Sequence, residues 1–82
     1  QAANELLNII GVKASFILTS YNNIIYISAR SIDEVNVQII MERLGGGGHM
    51  NIAGAQLAGI SAEAAKAKLK ETLDAMIEEG AI

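Results

Sequence analysis

The chain has 82 residues, no cysteine, a hydrophobic fraction of 51% and a formal net charge of −3. That length holds one small domain, and the lack of cysteine excludes a disulfide framework and a thiolate metal site. The acidic balance argues against non-specific binding to duplex nucleic acid, which needs a basic face, but leaves room for a compact anion held by a few aimed donors.

Taken in chain order, residues 2–10 read as a short helix, with Leu6, Leu7 and Ile10 on one side and Gly11 as its stop. Residues 14–19 and 24–29 read as two strands rich in β-branched and aromatic types. Ser20-Tyr21-Asn22-Asn23 between them reads as a hairpin turn, because asparagine tolerates the left-handed conformation. Arg30-Ser31 ends the second strand, and a polar connection follows through Asp33 and Glu34.

Asn36 is placed to cap a helix over 37–44, whose Val37, Ile40, Met41 and Leu44 form an apolar stripe. Gly45–Gly48 ends that helix, 49–54 reads as a single helical turn, and 55–58 as a third short strand closed by Gly59. Ser61 caps a last helix over 62–79, with Glu63 in its first turn. Ala65, Leu69, Leu73, Met76 and Ile77 form its expected buried stripe, and Lys70 and Asp74 are spaced for an ion pair. Glu78 and Glu79 oppose the dipole at its end, where fraying is expected before Gly80. The order α-β-β-α-loop-β-α implies an α/β (α+β) domain: a small mixed sheet of three or more strands with packed helices.

No segment reaches the roughly 18 apolar residues of a membrane span, and no signal segment opens the chain. A soluble, cytoplasmic piece is therefore expected. The start at Gln1, directly in a patterned segment, points to a fragment of a longer protein.

The run Gly45-Gly46-Gly47-Gly48-His49 is the most informative stretch. One reading is a helix stop and linker. The other is an anion loop, in which bare amides of a glycine run close around an oxyanion and the histidine adds a donor. The run follows a helix and lacks Gly-Lys-Ser/Thr, so it is neither a Walker A loop nor a dinucleotide fingerprint. His49 reads either as a satisfied structural residue or as a phosphate donor. Arg30 reads as a solvated strand-end charge or as a planar fork for phosphate. Arg43 reads as a surface charge complementing its helix dipole. Tyr26 reads as packing and Tyr21 as exposed. With one histidine, two aspartates and seven glutamates, most of them on solvated helix faces, no metal-ligand cluster emerges.

The segment Ser28-Ala29-Arg30-Ser31, a helix, and then Gly45-Gly46-Gly47-Gly48-His49-Met50-Asn51-Ile52-Ala53-Gly54-Ala55 resembles the DHH-associated C-terminal domain (type 1) of DHH-family phosphoesterases over nearly the whole chain. Its form is most similar to the GdpP-type cyclic-di-AMP phosphodiesterases, which are membrane-anchored. The resemblance implies a substrate-binding domain, 1–82, that follows a catalytic DHH domain carrying two Mn²⁺ ions. It implies that Gly46, Gly47, Gly48 and His49 hold nucleotide phosphates and that Arg30 orients a second phosphate, with neither catalytic nor metal residues in this chain. A parent enzyme hydrolysing cyclic di-AMP to linear pApA is the expected function. Its membrane anchor would leave this domain facing the cytoplasm, and the expected partners are a nucleotide, the upstream DHH domain and a homodimer mate. Alternatives are the partner domain of a nano-RNA/pAp phosphatase or RecJ-type exonuclease, or a non-catalytic RNA-binding or dimerisation module of the kind that ends alanyl-tRNA synthetases.

Overall fold

A computed structural model of the chain describes residues 3–9, 13–32 and 35–82. Strands β1 (Ala3–Ile9), β2 (Ala14–Tyr21) and β3 (Ile24–Ser31) are followed by helix α1 (Val37–Arg43). A two-residue strand β4 (Gly47–Gly48), β5 (Ile52–Ala58) and α2 (Ala62–Glu79) complete the fold. The strands form one sheet in the order β1-β2-β3-β5-β4. Every pairing is antiparallel, so the α+β expectation stands with an antiparallel sheet in place of a mixed one.

The hairpin between β2 and β3 turns on Asn22 and Asn23, both left-handed at φ 52° and 63°. Two consecutive left-handed residues give a turn whose twist matches the flanking strands. Along β2 and β3, alternate side chains are buried: Ala14, Phe16 and Leu18, then Ile25, Ile27 and Ala29. Ala53, Ala55 and Leu57 continue that face on β5. α1 covers it with Val37, Ile40, Met41 and Leu44, and α2 with Ala65, Leu69, Leu73 and Met76. Each fully buried large side chain contributes roughly 1.5–3 kcal/mol of transfer free energy. The helices thus lie on one face of the sheet, and no described element covers the other face.

Both helices start and stop as their sequences direct. The Asn36 side chain accepts from the amides of Gln38 (2.9 Å) and Ile39 (3.4 Å), and Ser61 Oγ accepts from that of Ala64 (3.0 Å). Gly80, left-handed at φ 76°, ends α2, with its amide and that of Ala81 donating to Ile77 and Met76.

Five expectations are corrected. Residues 3–9 of the expected first helix form strand β1, paired along its whole length with β2. Residues 2, 10 and 11 of that reading lie outside the described residues, as do Asp33 and Glu34. The expected helical turn at 49–54 is instead the β4–β5 turn running into β5, which starts at Ile52 rather than 55 because it pairs with β3 from Arg30 onward. Ile77 is 48% exposed, since α2 turns its stripe of Ala65, Leu69, Leu73 and Met76 inward and leaves Ile77 at its edge. Among the described residues, Lys70 and Asp74 form no ion pair. The end of α2 is tied by Arg43, whose guanidinium meets Glu79 at 2.5 and 3.2 Å, and the helix holds to Glu79.

Candidate phosphate-binding site

The four glycines after α1 have different tasks. Gly45 is left-handed at φ 85°, where a Cβ is penalised. Its amide donates to the Glu42 carbonyl (3.1 Å) and that of Gly46 to the Met41 carbonyl (2.8 Å). This pair of bonds closes the helix and satisfies its last carbonyls. The Gly46 amide, expected to face an anion, is therefore turned inward to the helix end. A Cβ on Gly46 would collide with the Gly54 carbonyl oxygen and come within 2.7 Å of the Ala55 Cα, so glycine here lets the chain pass against β5. Gly48 combines a φ of 146° with a Cβ position 2.5 Å from the Ala53 Cα. Gly47 differs: its φ is not left-handed, and a Cβ there would meet nothing within 4 Å. Nothing in the described fold calls for glycine at 47.

The register brings the remaining candidates to the uncovered face. Arg30 on β3 pairs with Ile52 on β5. The His49 amide donates to the Ile52 carbonyl at 2.6 Å, which continues the same row to the edge of the sheet. Because side chains alternate along strands, His49, Ile52 and Arg30 stand on one face. Arg30 and His49 are thus two strand spacings apart, roughly 10 Å. Both are exposed, and neither has a hydrogen-bond partner for its side chain among the described residues. The adjacent row, Gly47–Gly54–Ser28, holds only small residues. The row beyond carries Gln56 and Tyr26. Tyr26 is half-buried on this open face, outside the helix-covered core, and Tyr21 is exposed.

An open depression of about 510 Å³ lies beside the glycine run, lined by Ile27, Gly45, Gly46, Gly54, Ala55 and Gln56. Arg30 and His49 do not line it. They border the same small-residue row from its other side, so the depression and the Arg30–His49 pair are neighbours.

A hydrogen-bonded junction that has no signature in sequence spacing supports the pair. The Ser31 amide donates to the Asn51 carbonyl at 3.1 Å, and the Val37 amide to that of Met50 at 2.8 Å. Ser31 Oγ donates to the Val35 carbonyl at 2.6 Å. The Asn51 side-chain amide donates to Ser31 Oγ at 3.0 Å and to the Ser31 carbonyl at 3.4 Å. The end of β3, the start of α1 and the turn after His49 are joined at this point.

Arg43, by contrast, is engaged away from the site. Its hydrogen bond to Glu79, with their charge attraction adding, holds the Glu79 carboxyl below its ordinary value and the guanidinium above its own. Among the described residues, no group of three or more acidic or histidine side chains could hold a metal ion. The described residues do not by themselves fit a manganese centre. No helix among them is long and apolar enough to cross a membrane.

Comparison with known proteins places this architecture. The model of the DHHA1 domain matches residues 1–79. The cyclic-di-AMP phosphodiesterase GdpP of Bacillus subtilis (strain 168) is 49% identical over 98% of the chain, and that of Geobacillus thermodenitrificans (strain NG80-2) is 46% identical over the same share. The cyclic-di-AMP phosphodiesterase PdeA of Listeria monocytogenes is 46% identical over 92%. The chain spans about an eighth of the length of each of these relatives, 12%. A family match over residues 1–79, with relatives 46–49% identical over nearly the whole chain, shows that the chain belongs to the DHHA1 domain family.

Proposed function

We propose that this chain is the substrate-binding domain of a phosphodiesterase that hydrolyses cyclic di-AMP to linear pApA. The observation that carries the reading is the convergence of Arg30 and His49 on one row of the open sheet face, each with a side chain free of partners among the described residues. The names of the relatives, cyclic-di-AMP phosphodiesterases, supply the substrate class. His49 and the Gly48 amide hold the non-bridging oxygens of one phosphate; the Gly47 amide is engaged with Gly54 in the sheet ladder. Donors fixed in advance at that place favour the charge that builds up during hydrolysis. Arg30 orients the second phosphate through its planar fork. Gly46 sets the path of the loop, bringing Gly47 and Gly48 to the edge of β5. The Mn²⁺ ions belong, in this reading, to the DHH domain of the parent chain, and a membrane anchor to a further part of it. Closure of the two domains around the nucleotide assembles the site and excludes water.

The test is steady-state kinetics on the parent enzyme. His49→Ala lowers kcat/KM on cyclic di-AMP by about 10²-fold, the scale of one lost donor to a developing oxyanion. Arg30→Ala acts mainly on KM. Unaltered kinetics in both variants would remove the assignment. Turnover of cyclic di-AMP, short RNA and pAp side by side decides the substrate: faster turnover of RNA or pAp moves the domain to a nano-RNA/pAp phosphatase or RecJ-type enzyme.

A further inference from the structure

The junction beneath the Arg30–His49 row has a consequence for how the two residues are spaced. Arg30 immediately precedes Ser31, and His49 stands two residues before Asn51. The main-chain bonds Ser31 N–H to Asn51 O and Val37 N–H to Met50 O hold the backbone of the turn against β3 and α1. The Asn51 side chain adds two further bonds, to Ser31 Oγ and to the Ser31 carbonyl. Its donors face one oxygen that only accepts and one hydroxyl that itself donates, at 2.6 Å to the Val35 carbonyl and at 3.4 Å toward that of Met50. The polarity of the junction is thereby fixed: Asn51 must donate, and a carboxylate in its place could not.

We infer that Asn51 is a positioning residue, which locks the His49-Met50-Asn51 turn to the end of β3 and so sets the His49 imidazole in register with the Arg30 guanidinium. The inference rests on the phosphate-holding roles proposed for those two residues. Asn51 touches no substrate. Its effect on binding passes through His49. The residue is exposed and Ser31 half-buried, and the main-chain bonds of the junction survive its loss, so the fold tolerates substitution there.

A double-mutant cycle in the parent enzyme tests this, with cyclic di-AMP as substrate and thermal melting as the control for folding. Asn51→Ala and the isosteric Asn51→Asp each raise KM by roughly threefold to tenfold, the scale of one net hydrogen bond. In a His49→Ala background the same substitutions change KM by less than about twofold, because the residue through which they act is gone. Equal effects of Asn51→Asp with and without His49 would overturn the inference, since a merely structural role is additive. So would an Asn51→Asp enzyme with the parent's KM. If His49→Ala and Arg30→Ala themselves leave the kinetics unchanged, the functional reading fails first, and that outcome is separate from failure of the cycle.

Discussion

At the scale of single residues, the glycine run shows why composition alone cannot assign a role. Four identical residues satisfy four different local demands. Gly45 answers a left-handed backbone, Gly46 a close approach to β5, and Gly48 both together. Gly47 answers none of these; it stands in the small-residue row of the open face. Substitution separates the cases. Gly46→Ala forces Gly54 and Ala55 apart and destabilises the domain by about 1–3 kcal/mol, the usual cost of overpacking. Gly47→Ala changes stability by no more than about 0.5 kcal/mol, as at other positions free of special constraint. Under the proposed function it raises KM for the nucleotide nonetheless, because the added methyl group would stand beside the proposed phosphate position. Urea denaturation of both variants, set beside their KM values, checks the separation. A Gly47→Ala protein with wild-type KM would return the run to a purely structural role. Of the site, His49, Arg30 and the glycines were legible as residue types suited to an oxyanion. The inward turn of the Gly46 amide and the Asn51–Ser31 junction were not, since both depend on which segments lie side by side in the folded chain.

At the scale of elements, the parts with strong local signals were read from sequence and those held by distant partners were not. Asn36, Ser61 and Gly80 mark helix ends with groups that act within one turn, and both helices lie where those residues place them. Asn22-Asn23 marks its hairpin for the same reason. Ala3–Ile9 has leucines, asparagines and a glutamate that suit a helix as well as a strand, and its pairing with β2 decides the outcome. β5 is rich in alanine and glycine, poor strand formers, and is held between β3 and β4. The available clue was alternation: Ala53, Ala55 and Leu57 recur at every second position and are the buried ones.

The link between the ends of α1 and α2 was also invisible, because Arg43 and Glu79 are far apart in the chain. It carries a definite pH dependence. The hydrogen bond from Arg43, and secondarily its charge, lowers the Glu79 carboxyl below its ordinary 4.5 in the folded state. The stabilisation is therefore fully present above the ordinary carboxylate value and is lost as pH falls through the lowered one. Both side chains are about half exposed, so salt screens the pair and its contribution is modest. Glu79→Gln lowers Tm slightly at neutral pH, and the gap from wild type closes as the pH drops below 4.5 or as salt is added. A gap that widened toward acid would mean that the pair opposes folding.

At the scale of the whole molecule, one sheet carries one layer of helices, and a single thin core supports everything else. Among the described residues no polar or charged side chain is buried, so the core they form is apolar packing alone. A chain of 82 residues has a net stability of roughly 4–12 kcal/mol on the usual per-residue scale. Leu69 lies on α2 with no exposed surface, among the residues that seal the helix to the sheet. Leu69→Ala removes about 2–5 kcal/mol, a large share of that margin. Ile77 stands on the same helix, was expected in the same stripe, and is 48% exposed. Ile77→Ala therefore moves stability by only about 0.5 kcal/mol. Urea denaturation of the two variants discriminates between the sequence pattern and the packed structure. The pattern treats the two positions alike, whereas the fold predicts a large drop in midpoint at 69 and almost none at 77. Comparable drops at both positions would mean that α2 is rotated about its axis from the placement described. The surviving Ile77→Ala domain also serves as a control for the proposed site: its parent enzyme is expected to keep the wild-type KM, because Arg30 and His49 sit on the sheet face that α2 does not cover.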